Sequence, residues 1–233
     1  MRGRGRDGRP RRRSPAAVPV ITRFGLAPRL APLSVPAFQD HWRDRHGAVI
    51  GVLPGLRRYW QNHALASTLP WPGFDACSEM DADDVAAFDA AFEHPHYLDA
   101  GRADERRFVD RSGGGAVLTE RVAGAVSEPA GVRLLTLMRS APGVATADLA
   151  AVLAGPGRGG AATAVEAFVR LPELPGIVDA VEALWFGSAD DALAHLGSEA
   201  AEADRRALSG RVAATERVLA AVHVVPLGQL RAF

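Results

Sequence analysis

Phe38-Gln39-Asp40-His41-Trp42-Arg43-Asp44-Arg45-His46-Gly47 leads into Leu53-Pro54-Gly55-Leu56-Arg57-Arg58-Tyr59 and then Gln61-Asn62-His63. Ser34 can cap a helix at the head of this stretch, and Pro36 is tolerated in a first turn, where the missing N–H costs nothing. At about 100° per residue, Val35, Phe38, Trp42, Val49 and Leu53 fall on one apolar stripe. His46 lies four residues after Trp42, inside that stripe and near its edge. His41, Arg43 and Asp44 lie toward its margins or outside it. Leu53-Pro54-Gly55 predicts the stop, because proline bars continuation and glycine accepts the turn. A histidine sent inward loses its water, so it needs a partner or a task.

Working outward, Leu56 to Leu65 reads as a strand. Arg57, Tyr59, Gln61 and His63 share one face, and Leu56, Arg58, Trp60 and Asn62 the other. Val18 to Leu26 is a strand before the helix. Ser67 to Gly73 is a loop, and Phe74 to Met80 a third strand. Asp81 or Asp83 then caps a helix with the stripe Val85, Phe88 and Phe92. His94-Pro95-His96 breaks it, Tyr97 to Arg111 is a polar, partly helical connector, and Ala116 to Val122 is a fourth strand. The order is β-α-β-β-α-β.

That order then repeats after a joint at Glu128-Pro129-Ala130-Gly131. Val132 to Arg139, Ala164 to Leu171, Ile177 to Phe186 and Arg217 to Val225 are strands. Thr146 to Leu153 and Ser188 to Leu196 are helices. The fold class is therefore α+β, built from two ferredoxin-like βαββαβ units. Each sheet would leave a face bare alone, so the units are expected to pack sheet to sheet as a built-in pseudo-dimer. The domains are residues 18–126 and 131–233, preceded by an arginine-rich leader, 1–17.

Bulk properties exclude several classes. The 233 residues suffice for one large domain or two of roughly 100 residues. No run approaches the roughly 20 apolar residues of a membrane helix. The basic start lacks the apolar core of a secretory signal. A lone cysteine, Cys77, allows no intrachain disulfide and suits the cytoplasm; on a strand it reads as core filler. Seven of the 27 basic residues, all arginine, precede Ser14 against one acidic residue there, leaving 20 against 26 in the remainder. The folded part is thus acidic and offers no second basic patch. The leader reads as a disordered extension, not a nucleic-acid arm, and neither nucleic acid nor membrane is expected as a partner.

The halves are unequal. The helix of the second half matching the opening one reads Ala150-Ala151-Val152-Leu153-Ala154 and runs into Gly155-Pro156-Gly157-Arg158-Gly159-Gly160, with no imidazole, tryptophan or tyrosine. That glycine run lacks a lysine and a strand-to-helix setting, so it is a linker, not a phosphate loop. One working pocket is expected, in the first half, with the second half as scaffold or lid.

Phe38, His41, Trp42, His46-Gly47, Leu53-Pro54-Gly55-Leu56, Tyr59 and Gln61-Asn62-His63 together resemble the EthD family of dimeric α+β barrel proteins. The first half carries the resemblance along its length, and the second weakly, around Leu184 to Leu196. One departure is Ala48, where the family usually has proline after His-Gly. The resemblance implies a barrel of two facing sheets with a small-molecule cavity between sheet and helices. It also implies either cofactor-free decarboxylation, dehydration or cyclisation of polyketide-like compounds, or an auxiliary role beside an oxygenase.

A partly buried histidine can serve as base and acid at neutral pH, which makes His46 the candidate catalytic residue. Phe38, His41, Trp42, Arg45, Tyr59, Asn62 and His63 are the candidate substrate-binding residues. Among them Trp42 and Tyr59 form walls, and Asn62 or His63 bonds a carbonyl or enolate oxygen. The functional expectation is a cofactor-independent lyase- or cyclase-type enzyme acting on a hydrophobic, polyketide- or aromatic-like substrate. The alternatives are a non-catalytic binder supporting an oxygenase or degradation pathway, and a haem protein using His195 or His223. No cofactor is expected. His94 and His96 have the spacing of a metal pair, but no further ligand completes a set, so no metal is expected either. A homodimer built on the pseudo-dimer is the expected assembly.

Overall fold

Alternation at every second residue sets the architecture of the computed structural model, which describes residues 20–65, 69, 73–126 and 128–228. The arginine-rich leader and most of the loop read at Ser67 to Gly73 lie outside those residues. In chain order the elements are β1 (Ile21–Ala27), α1 (Val35–His41), a π-helical turn (Trp42–His46) and α2 (Gly47–Ile50). There follow β2 (Leu56–Ala64), β3 (Ala76–Ala82), α3 (Val85–Glu93), a second π-helical turn (Tyr97–Gly101), α4 (Arg102–Glu105) and β4 (Gly115–Ala123). The second half comprises β5 (Val132–Ser140), α5 (Thr146–Leu153), β6 (Ala164–Arg170), β7 (Ala180–Phe186), α6 (Ala189–Leu196), α7 (Glu199–Leu208) and β8 (Val212–Val224).

The strands close into one antiparallel barrel in the order β1-β3-β2-β8-β5-β7-β6-β4. Within each half the order is fourth, first, third, second. The halves do not simply lie face to face as two layers. Their edge strands hydrogen-bond, β2 with β8 and β4 with β6, so the barrel leaves no free edge. Residues of one parity point inward. Phe24, Leu26, Cys77, Val117, Leu135, Phe168 and Val181 fill the interior as one apolar cluster. Residues of the other parity point outward and are covered by helices.

One end of the interior is charged. Arg133 is fully buried between Glu79 and Glu166, pairing directly with the first and at 3.1 Å with the second. Arg58 bonds Glu79 at 2.5 Å and lies over the Trp60 ring, and the Trp185 indole donates to Glu166 at 3.1 Å. Both Glu79 and Arg133 are unexposed, so neither charge has water to fall back on. The network joins residues from both halves, and periodicity alone does not reveal it.

Several boundaries shift for local reasons. Ser34 caps α1, accepting from Ala37 N at 3.3 Å, and Pro36 sits in its first turn. The helix ends at Ile50, before Leu53, and Gly55 takes the left-handed turn at φ 81°. Asp84, not Asp81 or Asp83, caps α3, accepting from Ala87 N at 2.8 Å. Asp81 points into the barrel, where Thr22 Oγ1 donates to it at 2.7 Å. In the second half α7 was not anticipated, and Ala145 takes the N-cap position of α5. β8 begins at Val212, five residues before the expected Arg217.

Candidate functional site

The first-half cavity lies between the outer face of β1, β2 and β3 and the helices above it, with a volume of about 260 Å³. Helix α1 does not run on regularly. At Trp42–His46 the turn widens, and the carbonyl of Trp42 accepts Gln61 Nε2 at 2.9 Å as well as the Gly47 N–H. A strand side chain thus satisfies the bulged carbonyl. Such bulges often mark functional positions. This one keeps Trp42 and His46 together on the cavity wall.

His46 is 7% exposed, and its Nδ1 lies 3.0 Å from Asp104 Oδ2. The other carboxylate oxygen, Oδ1, lies 3.0 Å from His41 Nε2. Burial alone would raise the Asp104 pKa. Hydrogen bonding from His46 and the field of His41 outweigh it and hold the group below its ordinary value. An ionised Asp104 accepts N–H from both rings, which leaves His46 Nε2 as the lone-pair nitrogen.

Arg23, on β1, supplies the charge. It lines the cavity, lies 4.5 Å over the Phe92 ring, and makes no ion pair within 4 Å among the described residues. Burial lowers its pKa, opposed by the fields of Tyr97, Glu105 and Tyr59, yet a guanidinium stays protonated in proteins. Tyr97 donates to Glu105 Oε1 at 2.8 Å, which ties down the opposite wall. Gly101 makes room for that tyrosine, since a Cβ there would stand 2.5 Å from Tyr97 Cδ2. Burial raises the pKa of Tyr97 to about 12, with Glu105 adding to it. Tyr59 is likewise pushed up by burial, to about 12. Both phenols therefore stay protonated and can only donate or accept hydrogen bonds.

The expected site residues divide. His46, Trp42 and Tyr59 meet on the cavity. His41 stands behind His46 and shares Asp104 with it. Phe38 is unexposed core beneath α1, its ring 5.2 Å from Phe108. Arg45 points to solvent. Asn62 faces the barrel interior, donating to Cys77 O at 3.0 Å and accepting from Arg133 at 3.3 Å. His63 faces the helix side, its ring 4.6 Å from Trp42, but does not line the cavity. Asn62 and His63 are neighbours on one strand, so the pleat sends them to opposite faces and no single ligand meets both. His96 is structural, its Nε2 3.0 Å from Val49 O.

Sequence reasoning passed over Asp104, Arg23, Tyr97 and Glu105. Asp104 lies 58 positions beyond His46, in a connector whose helical turns have no apolar stripe. The one available signal was a conflict: a strand residue as large and charged as Arg23 among apolar neighbours.

The expectation of one working pocket, in the first half, did not include a cavity in the second. The second half contains a cavity of about 350 Å³ under α6 and α7. The missed helix α7 builds it, so loss of aromatic residues from α5 did not empty that half. His195 stands on this cavity, whereas His223 lies by His63, ring centroids 6.1 Å apart. The His195 cavity is crossed by Arg158 ion pairs to Glu182 and Asp204. Among the described residues no cluster of three or more His, Cys, Asp or Glu is arranged to hold a metal ion.

Fold and site together define an α+β barrel protein with a cavity outside the barrel wall, lined by a histidine that is paired with an aspartate. Residues 30–112 match the family model of the EthD domain. An anthrone oxidase-like protein of solved structure shares the fold with a TM-score of 0.63 at 10% identity, over 93% of this chain and 97% of that one. A monooxygenase-like protein from Lactobacillus acidophilus gives 0.55 at 9%, over 91% and 98%. Among curated proteins none matches this sequence. No helix among the described residues is long and apolar enough to cross a membrane.

Proposed function

We propose that this chain is a cofactor-independent enzyme of lyase or cyclase type, moving a proton on a small aromatic or polyketide-like carbonyl compound in the first cavity. The observation that carries this reading is the His46 imidazole on the cavity wall with Nδ1 committed to Asp104. His46 Nε2 takes a proton from a carbon beside the carbonyl. The electron pair moves onto the carbonyl oxygen, where the Arg23 guanidinium stabilises the charge that develops. The enolate then collapses by expelling a leaving group or attacking a second carbonyl, and protonated His46 returns the proton. Trp42 and Phe108 pack the ring and keep water out. A volume of about 260 Å³ sits at the small end of ligand cavities, which favours one or two rings over a long chain.

The same reading takes residues 18–126 and 131–233 as two ferredoxin-like units, supported by the repeated strand order. It places the protein in the cytoplasm, supported by the free Cys77. Two copies would have to pair through helices, because the barrel uses its strand edges internally.

The test is deuterium exchange in D2O at the acidic carbon of small aryl ketones, followed by proton NMR. Wild-type protein should accelerate exchange for at least one compound, and His46→Ala should not. Equal rates for the two proteins would remove the proton-transfer role.

A further inference from the structure

The second cavity is walled by β5, β7 and β8 on one side and by α6 and α7 on the other, and its lining divides by chemistry. Leu134, Leu184 and Leu208 supply apolar surface, while Arg158, His195 and Arg217 are polar. Arg158 is spent. Its Nε donates to Glu182 Oε1 at 2.7 Å and its Nη1 lies 3.5 Å from Asp204. Arg205 is also spent, on Glu202 at 2.7 Å and on the carbonyl of Leu196 at 3.1 Å.

Two groups are left over. Arg217 makes no ion pair within 4 Å among the described residues. Burial weakens its hold on a proton and the nearby Arg205 repels it, with only the field of Glu182 in its favour. His195 is 5% exposed, packs on Phe186 with ring centroids 5.2 Å apart, and has no hydrogen-bond partner for Nδ1. A buried nitrogen with hydrogen-bonding capacity and no partner is rare in a folded chain and calls for an explanation. Arg217 and the His195 ring line one cavity of about 350 Å³, ordinary for a small organic ligand, while Nδ1 itself is sealed from it.

A guanidinium fork matches the two oxygens of a carboxylate, and leucine walls suit an apolar body. We propose that the second cavity is a separate binding site for a small organic carboxylate, with its head on Arg217 and its body against Leu134, Leu184, Leu208 and the His195 ring. An anion at Arg217 relieves the Arg205–Arg217 repulsion and replaces the water both groups lose on burial. The site makes no use of His46 or Arg23, so it stands whether or not the first cavity is catalytic.

The test is calorimetric titration of the full chain with benzoate, and with benzyl alcohol as its uncharged counterpart. Benzoate should bind one per chain and benzyl alcohol at least tenfold more weakly. Arg217→Met should weaken benzoate at least tenfold, and Arg217→Lys, which keeps charge but not the fork, by less. Arg23→Met, in the first cavity, should leave benzoate affinity unchanged. The proposal is overturned by absence of benzoate binding, by equal affinity for benzyl alcohol, by full affinity in Arg217→Met, or by loss of binding in Arg23→Met.

Discussion

Asp104 grips His46 through one carboxylate oxygen and His41 through the other, each at 3.0 Å. A carboxylate between two imidazoles fixes both ring orientations and makes each donate toward it. Asp104→Asn keeps the shape but turns one acceptor oxygen into an N–H donor. One ring must then flip or change tautomer. We expect proton exchange on an aryl ketone to fall by roughly 10²–10⁴-fold, the usual worth of a well-placed general base. Circular dichroism should show the fold retained.

His63 gives the pH dependence a distinct window. Burial, His223 and Arg43 take its pKa down to about 4, although both ring nitrogens face glutamine oxygens that an imidazolium would satisfy. Its folded pKa thus lies below the unfolded value of 6.5, so the unfolded chain binds the extra proton between pH 6.5 and 4. Stability therefore falls as pH drops through that window. Urea midpoints at pH 7 and pH 5 should differ less for His63→Asn than for the parent, with a residual slope from His195 and His223, whose pKa values are also lowered by burial. The Asp104 contribution has the opposite kind of origin. Its lowered pKa stabilises above the unfolded value of 3.8 and is lost only as pH falls below that.

Much of the first-half architecture is legible in the sequence, because it rests on local signals. Ser34, Pro36 and Pro54-Gly55 bracket the opening helix, and alternation marks β2. What escaped is non-local. Asp104 lies in a connector where short helical turns carry no stripe, so nothing in its neighbours points to His46. The π-helical turn depends on Gln61 reaching across from β2 to the Trp42 carbonyl. Asn62 and His63 show what alternation does reveal. The strand alternation already puts them on opposite faces, so at most one of them can meet a given ligand. In the second half, the polar helix α7 has a single buried residue, Ala201, and so gave no apolar pattern to read.

The barrel's buried charges should behave as a unit. Burial would raise the pKa of Glu79, but Arg133 and Arg58 outweigh it and keep the carboxylate ionised. Arg133→Met strands Glu79 and Glu166 inside the barrel without their shared cation. A stability loss of about 3–5 kcal/mol is expected in urea unfolding, as for a broken buried pair. Replacing Arg133, Glu79 and Glu166 together with apolar residues of similar size should recover most of it.

Cys77 is a probe of barrel opening. It is 1% exposed, and burial first, then the field of Glu79, raises its thiol pKa to about 12. The reactive thiolate is therefore nearly absent in the folded chain. Labelling by iodoacetamide at pH 8 should track global unfolding and be slower than for a free thiol by the folded-to-unfolded ratio. Rapid labelling without urea would show that the barrel opens locally.

Chemical rescue of His46→Gly addresses the account most directly. With an aryl ketone that the parent protein exchanges in D2O, the variant should lose exchange, and added imidazole should restore it in proportion to its concentration, while Asp104→Asn should gain little. Exchange by His46→Gly at the parental rate without imidazole would contradict a catalytic His46.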